Sequence, residues 1–145
     1  MTVVVDSNLC LASALPLPYS EFASRRLEAW DADGVQLCAP ALWGYEVVSA
    51  VQKFVAQGIL DDLTADRILI DLFAIGVDEI DSSVGRHRLA LRWAARLGQR
   101  VAYDAAYMAL ADELGVEFWT ADRRLAQNAR NIGVSWVRWL GEDEP

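Results

Sequence analysis

Short apolar runs alternate along the chain with longer segments in which apolar residues recur every three or four positions. Residues 2–6 form an apolar run that ends in Asp-Ser-Asn, and this pattern predicts a buried strand followed by a turn or a helix cap. Similar short runs predict four further strands at residues 36–39, 77–80, 116–120 and 134–138. The chain is therefore expected to contain five strands.

The segments between these runs have the spacing of amphipathic helices. The predicted helices span about residues 19–30, 40–57, 65–75, 83–97, 103–114 and 122–131. Pro40 suits the first position of its helix, and Thr64 and Ser82 or Ser83 are typical caps. Because helices separate the strands, we expect right-handed crossovers and a mainly parallel sheet with helices on both faces, which is a three-layer α/β/α arrangement.

The length of 145 residues suits one domain. We assign residues 1–145 to a single α/β domain and expect residues 141–145 to form a frayed tail. Hydrophobic residues make up 54% of the chain and charged residues 23%, a composition that excludes disordered, collagen-like and coiled-coil proteins.

Three features of the sequence favour a cytoplasmic protein with no membrane association. No apolar run reaches the ~18 residues that a membrane-spanning helix needs. The first residues lack the basic-then-apolar order of a signal peptide. Cys10 and Cys38 are the only cysteines, too few for a disulfide framework or a zinc site, so we expect two buried thiols in a reducing compartment.

Charge is distributed unevenly along the chain, whose net charge is −8. Residues 1–81 carry 4 basic and 13 acidic side chains, and residues 104–145 carry 4 basic and 8 acidic ones. Residues 82–103 carry five arginines and no acid. The overall acidity argues against tight, non-specific binding of nucleic acid, but it leaves one positive segment.

Acidic residues follow the predicted strands. Asp6 ends the first strand, Glu46 lies two turns into the helix after the second, Asp104 opens a helix, and Asp122 follows the fourth strand. Because ligand sites of parallel sheets lie beyond the carboxyl ends of the strands, several of these carboxylates are expected at one rim. Carboxylates that converge need a cation to stay ionised, and oxygen ligands favour Mg²⁺ or Mn²⁺.

A structural role is the alternative for each of these residues. Asp6, Asp104 and Asp122 all stand where a helix N-cap is expected. Glu46 shares a helical strip with Ser49 and Lys53, so it could be an exposed residue that forms salt bridges. The spacing alone leaves both interpretations open.

Three segments of the sequence resemble the PIN-domain family, and in particular the VapC-type toxin nucleases of toxin–antitoxin modules. Val-Val-Val-Asp6-Ser-Asn8 is similar to the opening strand of the family, and Ala-Pro40-Ala-Leu-Trp-Gly-Tyr-Glu46-Val to the helix that carries its second acidic residue. Residues 103–125 are similar to the long C-terminal signature, which carries the third and fourth acids. The likeness extends over essentially the whole chain, although residues 58–100 match only in their pattern of helices and strands.

The resemblance implies a PIN-like fold and a metal-dependent endoribonuclease in which a metal-activated water attacks an RNA phosphodiester. It implies that one or two Mg²⁺ or Mn²⁺ ions are held by Asp6, Glu46, Asp104 and Asp122. Asn8 and Thr120 match positions that support this cluster by hydrogen bonds. It also implies a homodimer and a cognate antitoxin, and the acidic surface suits an antitoxin segment that carries arginine or lysine.

Arginines supply candidate contacts to RNA. Arg88, Arg92 and Arg96 recur every four residues and form one stripe on a predicted helix, which could contact phosphates or could be a solvated face or an ion-pairing surface. Arg123 follows Asp122 directly and is a further candidate. With His87 as the only histidine, an acid–base pair of histidines is excluded, which fits a metal-activated water.

Four other functions are considered. A haloacid-dehalogenase-like phosphatase needs a second aspartate where this chain has Asn8, and both it and a receiver domain need a lysine at the site. The only lysine is Lys53, on the helix that carries Glu46, so both are disfavoured. A non-catalytic PIN-fold module that binds RNA or protein, and a PIN nuclease of RNA processing, remain as alternatives.

Overall fold

The sheet is built around the valines of the N-terminal run. In the computed structural model, which describes residues 1–142, β1 (Thr2–Val5) is the central strand of a five-stranded parallel sheet with the order β3-β2-β1-β4-β5. The other strands are β2 (Gln36–Pro40), β3 (Asp78–Ile80), β4 (Phe118–Thr120) and β5 (Val137–Trp139). Val3, Val4 and Val5 are fully buried, as expected for a strand covered on both faces. The prediction of an α/β fold on a mainly parallel five-stranded sheet is confirmed.

Helices cover both faces of this sheet. They are α1 (Ser7–Ala14), α2 (Ser20–Ala32), α3 (Leu42–Ala56), α4 (Asp62–Ala74), α5 (Val84–Leu97), α6 (Tyr103–Leu114) and α7 (Arg123–Asn131). The chain moves outward from β1 to β2 and β3, and then crosses to β4 and β5 on the other side. Right-handed crossovers therefore place α1–α4 on one face and α5–α7 on the other. In agreement, α1 packs against α2, α3 and α4, whereas α5 packs against α6.

The carboxyl ends of β1 and β4 meet at one edge of the sheet, which we call the carboxyl rim. Val4 is paired with Phe118 and Val5 with Trp119, so Asp6, directly after β1, lies at the level of Thr120, the last residue of β4. The start of α6 also reaches this rim, because α6 packs across β1, β2 and β4 and then leads into β4 from the opposite edge. The topology thus gathers residues that are far apart in sequence.

Of the two alternatives predicted after Asp6, a turn or a helix cap, the helix cap is confirmed, but the helix that it begins was not predicted. This is the eight-residue helix α1, whose Leu9, Cys10, Leu11 and Ala12 are all buried. A helix buried on nearly all sides has no polar face, so it has no amphipathic period to detect. Cys10 and Cys38 are both free and buried, as predicted.

The prediction that Pro40 opens a helix is wrong. Pro40 is the last residue of β2 and is paired with Ile80, and α3 begins at Leu42. Glu46 is therefore just beyond the first turn of α3 rather than two turns into it. In the same way Asp61, and not Thr64, caps α4 through a hydrogen bond from the Thr64 amide to its side chain.

Strands β4 and β5 begin later than predicted because the residues before them form hydrogen bonds to the ends of the preceding helices. The amides of Val116 and Val134 donate to carbonyls of the preceding helices, at Ala111 and Ala129. Of the expected tail, residues 141 and 142 belong to a 3-10 helix (Leu140–Glu142), and residues 143–145 lie outside the described residues. Over residues 1–142, the structure contains no helix that is both long and apolar enough to cross a membrane.

Candidate active site

Asp6 is a buried carboxyl group at the carboxyl rim, with 5% of its surface exposed. It caps α1, because its Oδ1 accepts a hydrogen bond of 2.8 Å from the Leu9 amide. Its Oδ2 accepts a hydrogen bond from the hydroxyl of Thr120. Burial raises the pKa of Asp6 to about 7, the charges of Asp104 and Glu46 raise it further, and the two hydrogen bonds oppose the shift.

Thr120 connects Asp6 to Asp122. Its hydroxyl is fully buried, donates to Asp6 and accepts a hydrogen bond of 2.9 Å from the Asp122 amide. Asp122 in turn caps α7, where its Oδ1 accepts from the amides of Arg124 (2.9 Å) and Leu125 (3.1 Å). The interpretation of Asp6 and Asp122 as N-caps is confirmed. A capping hydrogen bond uses only some of the lone pairs of a carboxylate, so a capping aspartate can still accept another ligand.

Asp104 lies in the first turn of α6 but is not its N-cap, which is Ala102. The side-chain amide of Gln99 donates a hydrogen bond of 2.9 Å to Oδ2 of Asp104. Burial raises the pKa of Asp104, the charge of Asp122 adds to the shift, and the bond from Gln99 opposes it. Because no backbone amide of residues 1–142 binds this carboxylate, its placement at the rim has no capping explanation.

Glu46 is half-buried and forms no ion pair within residues 1–142, so the interpretation as an exposed salt-bridging residue is wrong. Its Oε1 accepts hydrogen bonds from the Tyr107 hydroxyl (2.6 Å) and the Ser7 hydroxyl (3.3 Å). Burial raises the pKa of Glu46, the two hydrogen bonds oppose this, and the charge of Asp104 adds to it. Ser49 and Lys53, on the same helical strip, are exposed because they lie farther from the rim.

The helix that carries Glu46 is fixed to the sheet by a carboxylate. No side chain of its own caps α3, but Oε1 of Glu79 on β3 accepts a hydrogen bond of 2.8 Å from the Gly44 amide. A Cβ atom at position 44 would lie 2.7 Å from that oxygen, so any larger residue would require the Glu79 side chain to shift. A negative charge at a helix N-terminus is also favourable for the helix dipole. Glu79 thus sets the position from which Glu46 reaches α6.

The four acidic residues form one electrostatic group, which comes from the ends of β1 and β4, the N-terminal part of α3 and the first turn of α6. The charges of Glu46 and Asp104 act on Asp6, that of Asp104 acts on Glu46, and that of Asp122 acts on Asp104. No arginine or lysine is among the groups that shift these pKa values. The site therefore brings negative charges together, and within residues 1–142 none of the four carboxylates forms an ion pair.

The chemistry of these donors fits a divalent cation bound by oxygen atoms, because carboxylates are the ligands that Mg²⁺ and Mn²⁺ prefer. In the described part of the chain, however, no three or more acidic, histidine or cysteine side chains are close enough together to share one ion. The rim thus supplies the type of ligand that such an ion prefers, but the described residues do not form a closed set of ligands.

Three residues of the site were not singled out by the sequence analysis. Ser7, Gln99 and Tyr107 each donate a hydrogen bond to one of the carboxylates. Tyr107 could have been found, since it lies one helical turn after Asp104 on the same face of α6. Burial raises the pKa of Tyr107, so its hydroxyl stays protonated and remains a donor.

Asn8 is exposed on α1 and has no hydrogen bond to the cluster within residues 1–142, so its supporting role stays a prediction.

The arginines lie outside the carboxylate cluster. Arg88, Arg92 and Arg96 are exposed on α5, and the guanidinium of Arg96 lies 4.2 Å from the centre of the Trp93 ring. Arg86, in the same segment, is bound to Glu113 at 2.9 Å and to the carbonyl of Asp81. Arg123 is exposed beside Asp122, with its guanidinium 5.2 Å from the centre of the Trp139 ring. The positive segment therefore presents several arginines to solvent.

Proteins of known sequence and structure resemble this chain over most of its length. Ribonuclease VapC3 of Pyrobaculum aerophilum is 32% identical over 129 residues, which are 88% of this chain and 94% of that protein. Among solved structures, VapBC2 of Rickettsia felis, bound to a DNA fragment from its promoter, has a TM-score of 0.67 at 15% identity, with 95% of this chain and 98% of that chain covered.

A further solved structure, the sarcin-ricin loop cleaving toxin VapC20 of Mycobacterium tuberculosis, has a TM-score of 0.65 at 15% identity, with 94% of this chain and 98% of that chain covered. At these identities the structural likenesses show a shared fold. The family model described as PIN domain matches residues 3–131, which is most of the chain and includes all four acidic residues of the rim. The chain belongs to the PIN domain family.

Proposed function

We propose that this protein is a divalent-metal-dependent endoribonuclease and the toxin of a toxin–antitoxin pair. The observation that carries the proposal is the group formed by Asp6, Glu46, Asp104 and Asp122, whose charges act on one another at a partly buried rim. None of the four forms an ion pair within residues 1–142. A structural role would not require this arrangement, since Asp104 caps no helix and Glu46 forms no ion pair in the described residues.

The four carboxylates would hold one or two Mg²⁺ or Mn²⁺ ions. When bound, such an ion lowers the pKa of a coordinated water and stabilises negative charge on a phosphodiester. The chain itself orients the ligands. Thr120 and the Leu9 amide fix Asp6, Gln99 fixes Asp104, and the start of α7 fixes Asp122. Such fixed dipoles need no reorganisation during the reaction.

The relatives support cleavage of RNA. One is named a ribonuclease, and one with the same fold is described as a toxin that cleaves the sarcin-ricin loop. Two alternatives keep the same fold. A non-catalytic PIN module would bind RNA or protein without using the carboxylates, whereas a nuclease of RNA processing would use them without an antitoxin. Metal binding separates the first from our proposal, and a cognate antitoxin separates the second.

We also propose that the protein acts in the cytoplasm as a homodimer and is inhibited by a cognate antitoxin. A solved relative of the same fold is a toxin–antitoxin complex. The chain offers a partner an acidic surface with apolar side chains in it. Leu63 and Ile70 are exposed on α4, which also carries Asp62, Asp66 and Asp71. This surface suits an antitoxin segment that carries arginine or lysine.

The antitoxin proposal predicts an affinity that depends on salt. If basic residues of the antitoxin contact this acidic surface, raising the salt concentration from 0.05 to 0.5 M should weaken the complex, because exposed charges are screened beyond ~10 Å at 0.1 M salt. Calorimetric titration of the purified pair measures this. An affinity that is independent of salt would contradict the proposed charge complementarity.

The metal site predicts stabilisation by Mn²⁺ that requires Asp104. At about 100 times its dissociation constant, the ion should add about 2.7 kcal/mol to the free energy of unfolding. For this chain length, that raises the unfolding midpoint by roughly 5–10 °C. Asp104→Asn should abolish the shift while leaving the metal-free protein as stable as before or more stable, because it removes one repelling charge. Its RNA cleavage should fall by at least ~100-fold, since a bound ion contributes several kcal/mol to catalysis.

Asp66→Asn provides the matched control, because Asp66 is exposed on α4 and away from the rim. It should keep the full response to Mn²⁺. If millimolar Mn²⁺ leaves the midpoint of the wild-type protein unchanged, the carboxylates are caps and surface charges, and the non-catalytic binding module becomes the better interpretation.

Burial of Asp6 predicts that the metal-free protein loses stability as the pH rises. The folded-state pKa of about 7 lies above the unfolded value of 3.8, so the folded protein binds the extra proton between these values. The resulting stability is fully present below the unfolded pKa and is lost as the pH rises through the folded pKa. Between pH 5 and pH 8 the loss from Asp6 alone is roughly 3 kcal/mol.

Urea unfolding in the presence of a chelator measures this loss. Asp6→Asn should flatten the dependence on pH, because asparagine has no proton to release. A free energy of unfolding that stays constant or increases from pH 5 to pH 8 in the wild-type protein would contradict a raised pKa of Asp6 in the folded state.

The exposed arginines of α5 predict a salt-dependent contact with RNA. Each phosphate contact to single-stranded RNA adds about −0.7 to the slope of log K against log salt concentration. Replacing Arg88 and Arg92 together by alanine should therefore weaken binding and reduce the slope by about 1.4. Fluorescence anisotropy in the Asp104→Asn background, which prevents cleavage, measures both quantities. Arg67→Ala on α4 is the control, and an unchanged slope in the double variant would assign these arginines to solvent or to a protein partner.

A further inference from the structure

We propose that Tyr107 is a positioning residue, which holds Glu46 in the orientation that a metal ion requires. The inference rests on the proposed nuclease function. It concerns a residue that touches neither the ion nor the RNA and acts through a carboxylate that does.

The hydrogen bonds to Glu46 are all on one of its two oxygens. Tyr107 donates to Oε1 at 2.6 Å, and Ser7 donates to the same atom at 3.3 Å. Within residues 1–142 the second oxygen, Oε2, has no hydrogen-bond partner. Holding a carboxylate by one oxygen fixes the direction in which the other points, so Tyr107 can orient Oε2 as a ligand without competing for it.

The ring of Tyr107 is a rigid support for this contact. The residue is 2% exposed and stacks on Phe118 of β4, with ring centres 5.6 Å apart and planes 12° from parallel. A ring held in this way has little freedom left to lose when its hydroxyl forms a hydrogen bond. The position of Glu46 is therefore tied to the strand that also leads to Thr120 and Asp122.

Tyr107 also couples two of the carboxylates. It lies three residues after Asp104 in α6, so the two side chains leave the helix on the same face, one turn apart. One turn of α6 thus supplies Asp104 itself and the group that fixes Glu46, although Glu46 is 61 residues away from Tyr107 in sequence. The distance between the two carboxylates then depends on a single rigid turn.

A phenol suits this role better than a basic side chain would. A lysine or arginine at position 107 would bind Glu46 more strongly but would also cancel one of the negative charges available to a cation. A neutral hydroxyl orients the carboxylate and leaves its charge unpaired. Ser7 offers the same chemistry at a longer distance, so we assign the principal role to Tyr107.

The test is Tyr107→Phe, which removes one oxygen atom and keeps the ring that stacks on Phe118. The affinity for Mn²⁺, measured from the free ion signal in electron paramagnetic resonance, should weaken by about 10-fold or more, as is typical when a group that orients a metal ligand is lost. RNA cleavage should fall mainly in kcat, with KM for the RNA little changed. Tyr103→Phe, at an exposed position of the same helix, should change neither quantity.

A double-variant cycle distinguishes positioning from a general structural role. If Tyr107 acts through Glu46, then Tyr107→Phe should have no further effect on Mn²⁺ affinity once Glu46→Gln is present. Additive losses in the double variant would overturn the inference. So would a Tyr107→Phe protein that is less stable without metal but binds Mn²⁺ like the wild type.

The same titration separates failure of this inference from failure of the proposed function. A wild-type protein that binds Mn²⁺, together with an unaffected Tyr107→Phe variant, overturns only the role of Tyr107. A wild-type protein that does not bind Mn²⁺ at millimolar concentration overturns the nuclease proposal, and the role of Tyr107 with it.

Discussion

The hydrogen bond from Thr120 to Asp6 joins the ends of the adjacent strands β4 and β1, and the arrangement of the carboxyl rim depends on it. Asp6 is almost completely buried, and a buried carboxylate is costly unless polar groups bind it. Thr120 offsets part of this cost on one side, and the amide of Leu9 does so on the other. Because the Thr120 hydroxyl also accepts from the Asp122 amide, the same atom sets the start of α7. One side chain thus aligns two strands, one helix and two of the four acids.

The burial of these carboxylates, which the proposed activity uses, lowers the stability of the folded protein around the rim. The same caps that stabilise α1 and α7 concentrate negative charge where it is least solvated, and burial raises the pKa values of Asp6, Glu46 and Asp104 together. Carboxylates perturbed in this way are typical of functional sites, and proteins generally tolerate the cost because the remaining core supplies the stability. The central strand, with three consecutive valines fully buried, is part of that core.

The sequence contained enough information for the sheet, but only for part of the site. Apolar runs separated by helical periods predict five strands in a mainly parallel sheet, and the rule for strand ends then brings Asp6 and Asp122 together without further data. The start of α3 was mispredicted because Pro40 is compatible with a first helical turn, and its pairing with Ile80 is a tertiary contact. The hydrogen-bond partners of Glu46 could not be derived from the sequence. Helical periodicity shows that Glu46, Ser49 and Lys53 lie on the same side of α3, but it does not show how far each of them is from the rim. Gln99 had no periodic signal at all, since it lies between two helices.

The distribution of basic residues argues for a cation site more strongly than the acidic residues alone do. The chain has 13 basic side chains, and many of them find partners or surfaces elsewhere. Arg25 pairs with Glu21, Arg86 with Glu113, Arg130 with Glu142, and Arg138 with Glu117. The donors at the four rim carboxylates are hydroxyls and amides instead, which are neutral. In a structural ion-pair network, arginine or lysine would bind such carboxylates, because a buried charge with no opposite charge is destabilising. Neutral donors orient the acids and leave their charges without an opposite partner, so the proposed cation would add stability to a site that the caps alone already hold in place.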